Sequence, residues 1–202
     1  QLDSVLEANV PEHMRLATQI EDLLVRAVGD EKVQSVQRAE LRALGRISRG
    51  PGLQTLVQAT SGPLAAEAWT AIGVAGRRRG ATLAQDDRFL ALLLAGLRSD
   101  EEEVARAAAY AAFRQEAWLP DGVWQNVPAV ADPQTRIHLT RLLARYPDQI
   151  AVIQRLLRDP DPRVQVEAIR STALLAPSMG VASAQLLSQV GDDIVEKIVD
   201  NT

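Results

Sequence analysis

The stretch LLRDPDPRVQVEAIRSTALL, residues 156–175, decides the fold. Two apolar residues close one segment, an acidic and proline-rich turn follows, and a second apolar pattern then begins at Val164. In the turn, Asp161 is placed to cap a helix and Pro162 to take its first position, where a missing N–H costs nothing. From Val164, apolar or small residues fall four, five, seven and eight positions later, at Ala168, Ile169, Ser171 and Thr172. That is the spacing of one buried stripe on an α-helix.

The same pattern recurs along the chain. Val36 is followed by Leu41, Ala43 and Leu44, and Leu64 by Ala68, Trp69, Ala71 and Ile72. Val104 is followed by Ala108, Ala109, Ala111 and Ala112, and Thr135 by Leu139, Thr140, Leu142 and Leu143. A shortened sixth copy starts at Ile194, with Ile198 and Val199 in phase. A small residue often stands nine positions after the anchor, as at Gly45 and Gly73. The anchors 36, 64, 104, 135, 164 and 194 are separated by 28, 40, 31, 29 and 30 residues, the size of one helix–turn–helix unit.

A second amphipathic segment precedes each copy: Leu16 to Val28, Leu53 to Ala59, Phe89 to Leu97, Val123 to Val130, Ile150 to Leu157 and Val181 to Val190. Asp132-Pro133 repeats the turn chemistry of Asp161-Pro162, and Asp100 with Glu103 predicts a capping-box-like start. The expectation is an all-α protein of five to six helix pairs in a single domain, 1–202. Its repeats fall roughly at 12–49, 51–77, 86–115, 121–146, 149–175 and 179–200, with a loop insertion at 76–87.

These residues resemble the short HEAT-like repeat of phycobilin lyase-type proteins. Leu-Leu-Arg-Asp-Pro-Asp-Pro-Arg-Val at 156–164 and Ala-Leu-Gly-Arg-Ile at 43–47 carry the likeness best. Thr135 and Thr140 at apolar positions, and the gap of 40 residues, depart from it. The resemblance implies an α–α superhelix, a HEAT-like solenoid, in which the second helix of each pair lines the concave side.

Composition agrees with packed helices. Hydrophobic residues make up 47% and aromatics only 3%, with Ala and Leu prominent, and these are strong helix formers. The net charge of −4 and pI near 5.3 give no support to nucleic-acid or anionic-membrane binding. No apolar run is long enough to span a bilayer. Without cysteine there is no disulfide, thiolate zinc site or thiol nucleophile. The chain begins at Gln1 rather than Met, and the last segment ends on Ile194, Val195, Ile198 and Val199. A fragment or processed form is therefore expected. A cytoplasmic location is preferred, with the periplasm as the alternative if Gln1 follows a cleaved signal.

Signals for catalysis are absent. His13 and His138 are the only histidines and form no HExxH pattern. No Gly-x-Ser-x-Gly elbow or phosphate-binding glycine loop occurs. The carboxylates group at turns, where helix starts account for them. No catalytic residue, cofactor or metal is expected.

One polar feature is organised. Two, six and ten residues after the anchors, the first copy places Arg38, Arg42 and Arg46, and the third Arg106, Tyr110 and Arg114. The fourth gives Ile137, Arg141 and Arg145, and the fifth Val166, Arg170 and Leu174. Of the 22 basic residues only Lys32 and Lys197 are lysines, so codon bias with salt bridges to residues such as Glu40 or Glu167 also accounts for the row. Stacked arginines otherwise suit a surface that meets carboxylates or phosphates. Arg77, Arg78 and Arg79, between Gly76 and Gly80, predict an exposed loop and a second contact candidate.

The expected function is thus a non-catalytic protein-binding scaffold or adaptor for an acidic surface or peptide, with an end-to-end contact through 194–199. The alternatives are a nucleic-acid-binding HEAT-like protein and a bilin-lyase-like or glycosylase-like enzyme.

Overall fold

The computed structural model describes residues 12–48, 51–76, 83, 86–179 and 188, and all its regular structure among them is helical. Among the described residues ten α-helices follow one another: α1 (Glu12–Asp30), α2 (Gln34–Ile47), α3 (Pro51–Ala59), α4 (Ala65–Ala75), α5 (Asp87–Leu97), α6 (Glu102–Gln115), α7 (Asp121–Trp124), α8 (Pro133–Leu143), α9 (Ile150–Leu156) and α10 (Pro162–Met179). Short 3-10 turns stand at Val127–Ala129 and Pro147–Gln149. The segments 181–190 and 194–199 lie outside the described residues. None of the described helices is long and apolar enough to cross a membrane.

The chain forms two compact units, residues 1–115 and 116–202. In the first, α1 packs on α2, α3 on α4 and α5 on α6, while α2, α4 and α6 pack in succession. The small residues of the repeat make this succession close. A Cβ on Gly45 would stand 2.7 Å from the Ala71 carbonyl oxygen. One on Gly73 would run into the Tyr110 ring and lie 3.4 Å from the Ala111 Cα. Position nine of one second helix therefore meets position seven of the next, backbone close to backbone, and only glycine leaves that room.

Polar bridges fix the helix ends. Glu21, buried on α1, accepts from the Gly52 N–H at 2.9 Å and so supplies a cap for α3. The Asp86 carboxylate caps α5 through the Phe89 N–H at 2.9 Å. Buried Gln115 donates to the Ile72 carbonyl at 2.9 Å and accepts from the Leu83 N–H at 3.0 Å. Helix α6 begins at Glu102, and its preceding turn is held by the Ser99 hydroxyl, which accepts from the Glu101 N–H at 3.2 Å.

In the second unit α9 packs on α10, and α8 packs on α10 and on the 127–129 turn. The amphipathic segment expected at 123–130 is broken into the one-turn α7 and a 3-10 turn. Pro128 has no N–H to continue a helix there. Asp132 accepts from the Thr135 N–H at 2.7 Å and from its hydroxyl at 2.6 Å. Thr140 is buried with its hydroxyl on the Arg136 carbonyl at 2.7 Å, and Ser171 donates across to the Thr140 carbonyl at 2.8 Å. Threonine at these apolar positions is tolerated because each hydroxyl has an acceptor.

The repeat anchors behave alike with one exception. Leu64, Val104, Thr135 and Val164 are buried, but Val36, in the first turn of α2, is 40% exposed.

Candidate functional site

On α2, Arg38, Arg42 and Arg46 are exposed. Arg38 pairs with Glu67 of α4 at 2.9 Å, while Arg42 and Arg46 make no ion pair among the described residues. On α6, Arg106 pairs with Glu102 one turn earlier. Tyr110 lies half-buried against Gly73, and Arg114 sits 5.6 Å over the Phe113 ring. The repeat places Ala66, Thr70 and Val74 at these positions of α4, so the arginine row is interrupted between α2 and α6.

In the second unit the row is narrower than its spacing predicts. Ile137, counted outward, is 4% exposed, because α8 is covered by the 127–129 turn as well as by α10. Arg141 and Arg170 both reach the buried carboxylate of Glu167, at 2.9 and 2.8 Å. The Arg141 hydrogen bond holds the Glu167 carboxyl below the usual glutamate range, and the same bond raises the Arg141 pKa. Arg145 pairs with Glu116. On α10, Val166 and Leu174 flank Arg170 as exposed apolar residues.

The carboxylates are not confined to turns away from the row: Glu67, Glu102, Glu116 and Glu167 pair with its arginines. Salt bridging to Glu167, weighed from the sequence, is present. What remains of the row is a positive excess, with two guanidiniums on one carboxylate in the second unit and Arg42 with Arg46 in the first.

Residues 77–79 lie outside the described residues. An apolar cleft of about 420 Å³ opens beside Val25, Val28, Leu41, Pro63 and Leu64, with Gln37 at its edge, and includes none of the predicted arginines. His138 is half-buried with Nε2 3.3 Å from Gln134. Among the described residues no three His, Asp or Glu side chains gather as a metal site.

Sequence reasoning missed two features. Arg136, one place after an anchor, is buried rather than solvated: Nε and Nη2 donate to Asp159 at 2.8 and 2.7 Å, and Nη1 donates to the carbonyls of Val130 and Ala131. Asp159 also accepts from the Asp161 N–H at 2.9 Å, which locks the proline turn. Asp161 in turn caps α10 by accepting from the Arg163 N–H at 2.8 Å. The Arg163 guanidinium lowers the Asp161 pKa to about 2. The second missed feature is Trp118, exposed while Ala117 and Leu119 on either side are buried. No family model matches this chain, and no curated protein matches it in sequence.

Proposed function

We propose that the chain is a non-catalytic protein-binding scaffold, a HEAT-like solenoid of helix hairpins whose second-helix face receives an acidic peptide or protein surface. The observation that carries the reading is the sharing of Glu167 by Arg141 and Arg170, which leaves the face with more guanidinium than carboxylate. In the first unit, exposed Arg42 and Arg46 on α2 form an excess of their own. A planar guanidinium partly held by a neighbouring acid keeps a fixed direction, and an incoming carboxylate meets it with less side-chain ordering to do. Val166 and Leu174 beside Arg170 offer apolar contact for the same partner. The residues assigned to the face are those of the arginine row.

Fluorescence anisotropy with a labelled hexaglutamate peptide tests this. Arg42→Glu/Arg46→Glu is the clean variant, because neither residue has an ion pair to break among the described residues. Binding should weaken by roughly tenfold in it and fall with added salt, while the helical signal and melting midpoint stay put. Unchanged binding by this variant and by Arg141→Glu/Arg145→Glu would remove the face from consideration. Tighter binding of a DNA duplex than of hexaglutamate would move the protein to the nucleic-acid class.

A further inference from the structure

Trp118 is 68% exposed, an unusual position for the largest apolar side chain. It does not hang loose. The Tyr146 hydroxyl donates to the Ala117 carbonyl at 2.8 Å and accepts from the Leu119 N–H at 2.7 Å, so one phenol grips the backbone on both sides of Trp118. Ala117 and Leu119 point inward and are each 1% exposed, which turns Trp118 outward. Its indole rests on the Tyr146 ring, centroids 4.7 Å apart and planes 31° apart, and Trp124 supports Tyr146 from a further 4.5 Å. The result is a flat aromatic surface fixed from behind, with little ordering left to lose on binding.

The charges placed around it have one sign in excess. Glu116, two residues earlier, is paired with Arg145. Asp121 opens α7 and accepts from Gln149 at 3.0 Å, which joins it to the 147–149 turn that carries exposed Asp148. Asp121 stands three residues after Trp118 and Asp148 two after Tyr146, and neither carboxylate has an ion pair among the described residues. Indole is the best aromatic acceptor of a cation.

We infer that Trp118 is a docking platform for a basic peptide segment, with an arginine or lysine side chain laid over the indole and Asp121 and Asp148 supplying the complementary field. This surface does not depend on the arginine face, and its partner has the opposite charge.

The test is a titration of the whole chain with blocked tetra-arginine peptide, with tetraglutamate and hexaproline as comparators. The readouts are the indole N–H resonance of Trp118 and tryptophan fluorescence, since Trp69 and Trp124 are buried. Tetra-arginine should shift the Trp118 resonance saturably. Trp118→Ala should abolish binding and Trp118→Phe should keep part of it. Asp121→Asn/Asp148→Asn, with the indole intact, should weaken binding by about threefold or more. A Trp118 resonance unmoved by tetra-arginine overturns the proposal. So does equal binding by Trp118→Ala or by the double asparagine variant, or a preference for hexaproline or tetraglutamate. Should Trp118→Ala fail to fold, the resonance shift and the asparagine variant still decide the matter.

Discussion

Arg136 and Asp159 form a two-pronged ion pair, with Nε and Nη2 donating at 2.8 and 2.7 Å, and both side chains are almost wholly buried. The pair joins the start of α8 to the turn before α10, and its remaining donors and acceptors are used by Val130, Ala131 and Asp161. Removing one partner strands the other charge away from water. Arg136→Ala or Asp159→Ala should therefore cost about 3–5 kcal/mol. Urea denaturation measures it, and a loss below about 1 kcal/mol would show that water reaches the pair.

Gly45→Ala should cost about 1–3 kcal/mol, because the new methyl is aimed at the Ala71 backbone rather than at a side chain able to swing aside. Gly122→Ala is the matched control, with nothing within 4 Å of its Cβ position, and should stay within about 0.5 kcal/mol of the parent. Ala112→Leu, at a position with no exposure, should resemble Gly45→Ala. Thermal melts of the three variants side by side check the ordering.

Glu40 and Glu167 should respond to acid in opposite directions. Desolvation, aided by Glu31, raises the Glu40 carboxyl, whose Oε2 is buried with no hydrogen-bond partner. A carboxyl raised in the folded state holds its proton more tightly there, so its ionised form weakens the fold at neutral pH and acid relieves it. Glu40→Gln should stabilise the fold at neutral pH by under about 1 kcal/mol, seen as a higher melting midpoint, with the gain fading toward pH 4. Glu167 is lowered by Arg141, so its contribution is complete above the unfolded glutamate value of about 4.3 and is lost as pH falls through the lower folded value. Glu167→Gln should destabilise at neutral pH by roughly 1 kcal/mol and converge with the parent in acid. Melting curves across pH that move in parallel would refute both assignments.

Glu116 lies in the left-handed region at φ 56°. Its ion pair with Arg145 joins two side chains that are each more than half exposed, and such a pair is worth little. Relief of the left-handed backbone, about 1 kcal/mol, should outweigh that loss. Glu116→Gly is therefore expected to be neutral or stabilising, as chemical denaturation would show.

The positions legible in the sequence were those where neighbouring helices impose a period. Leu44, Ile72, Ala108 and Leu143 lie in phase and are all fully buried. Ile169 obeys the same spacing yet is half-buried, so the period alone does not fix the depth of each position. Arg136 escaped because its partner, 23 residues on, is set by how turns meet rather than by any spacing. Trp118 escaped for another reason. Alternation in Ala117-Trp118-Leu119 shows that one set of residues faces out, but not which set, and only the Tyr146 phenol decides it. The arginine row was visible as a row. Of its pairing only that to Glu167 was visible, because Glu67 and Glu116 reach the row from other segments.

Helix α4 carries both halves of the close contact: Ala71 receives Gly45 from the hairpin before, and Gly73 receives Ala111 from the hairpin after. A tandem duplicate of the α3–α4 module would offer each neighbour the surface it already fits. The one new contact, between the two copies of α4, would set Gly73 against Ala71, the same pairing of positions nine and seven that joins α2 to α4 and α4 to α6, so hairpin number is a quantity that evolution, or an engineer, can vary by reusing one contact pattern.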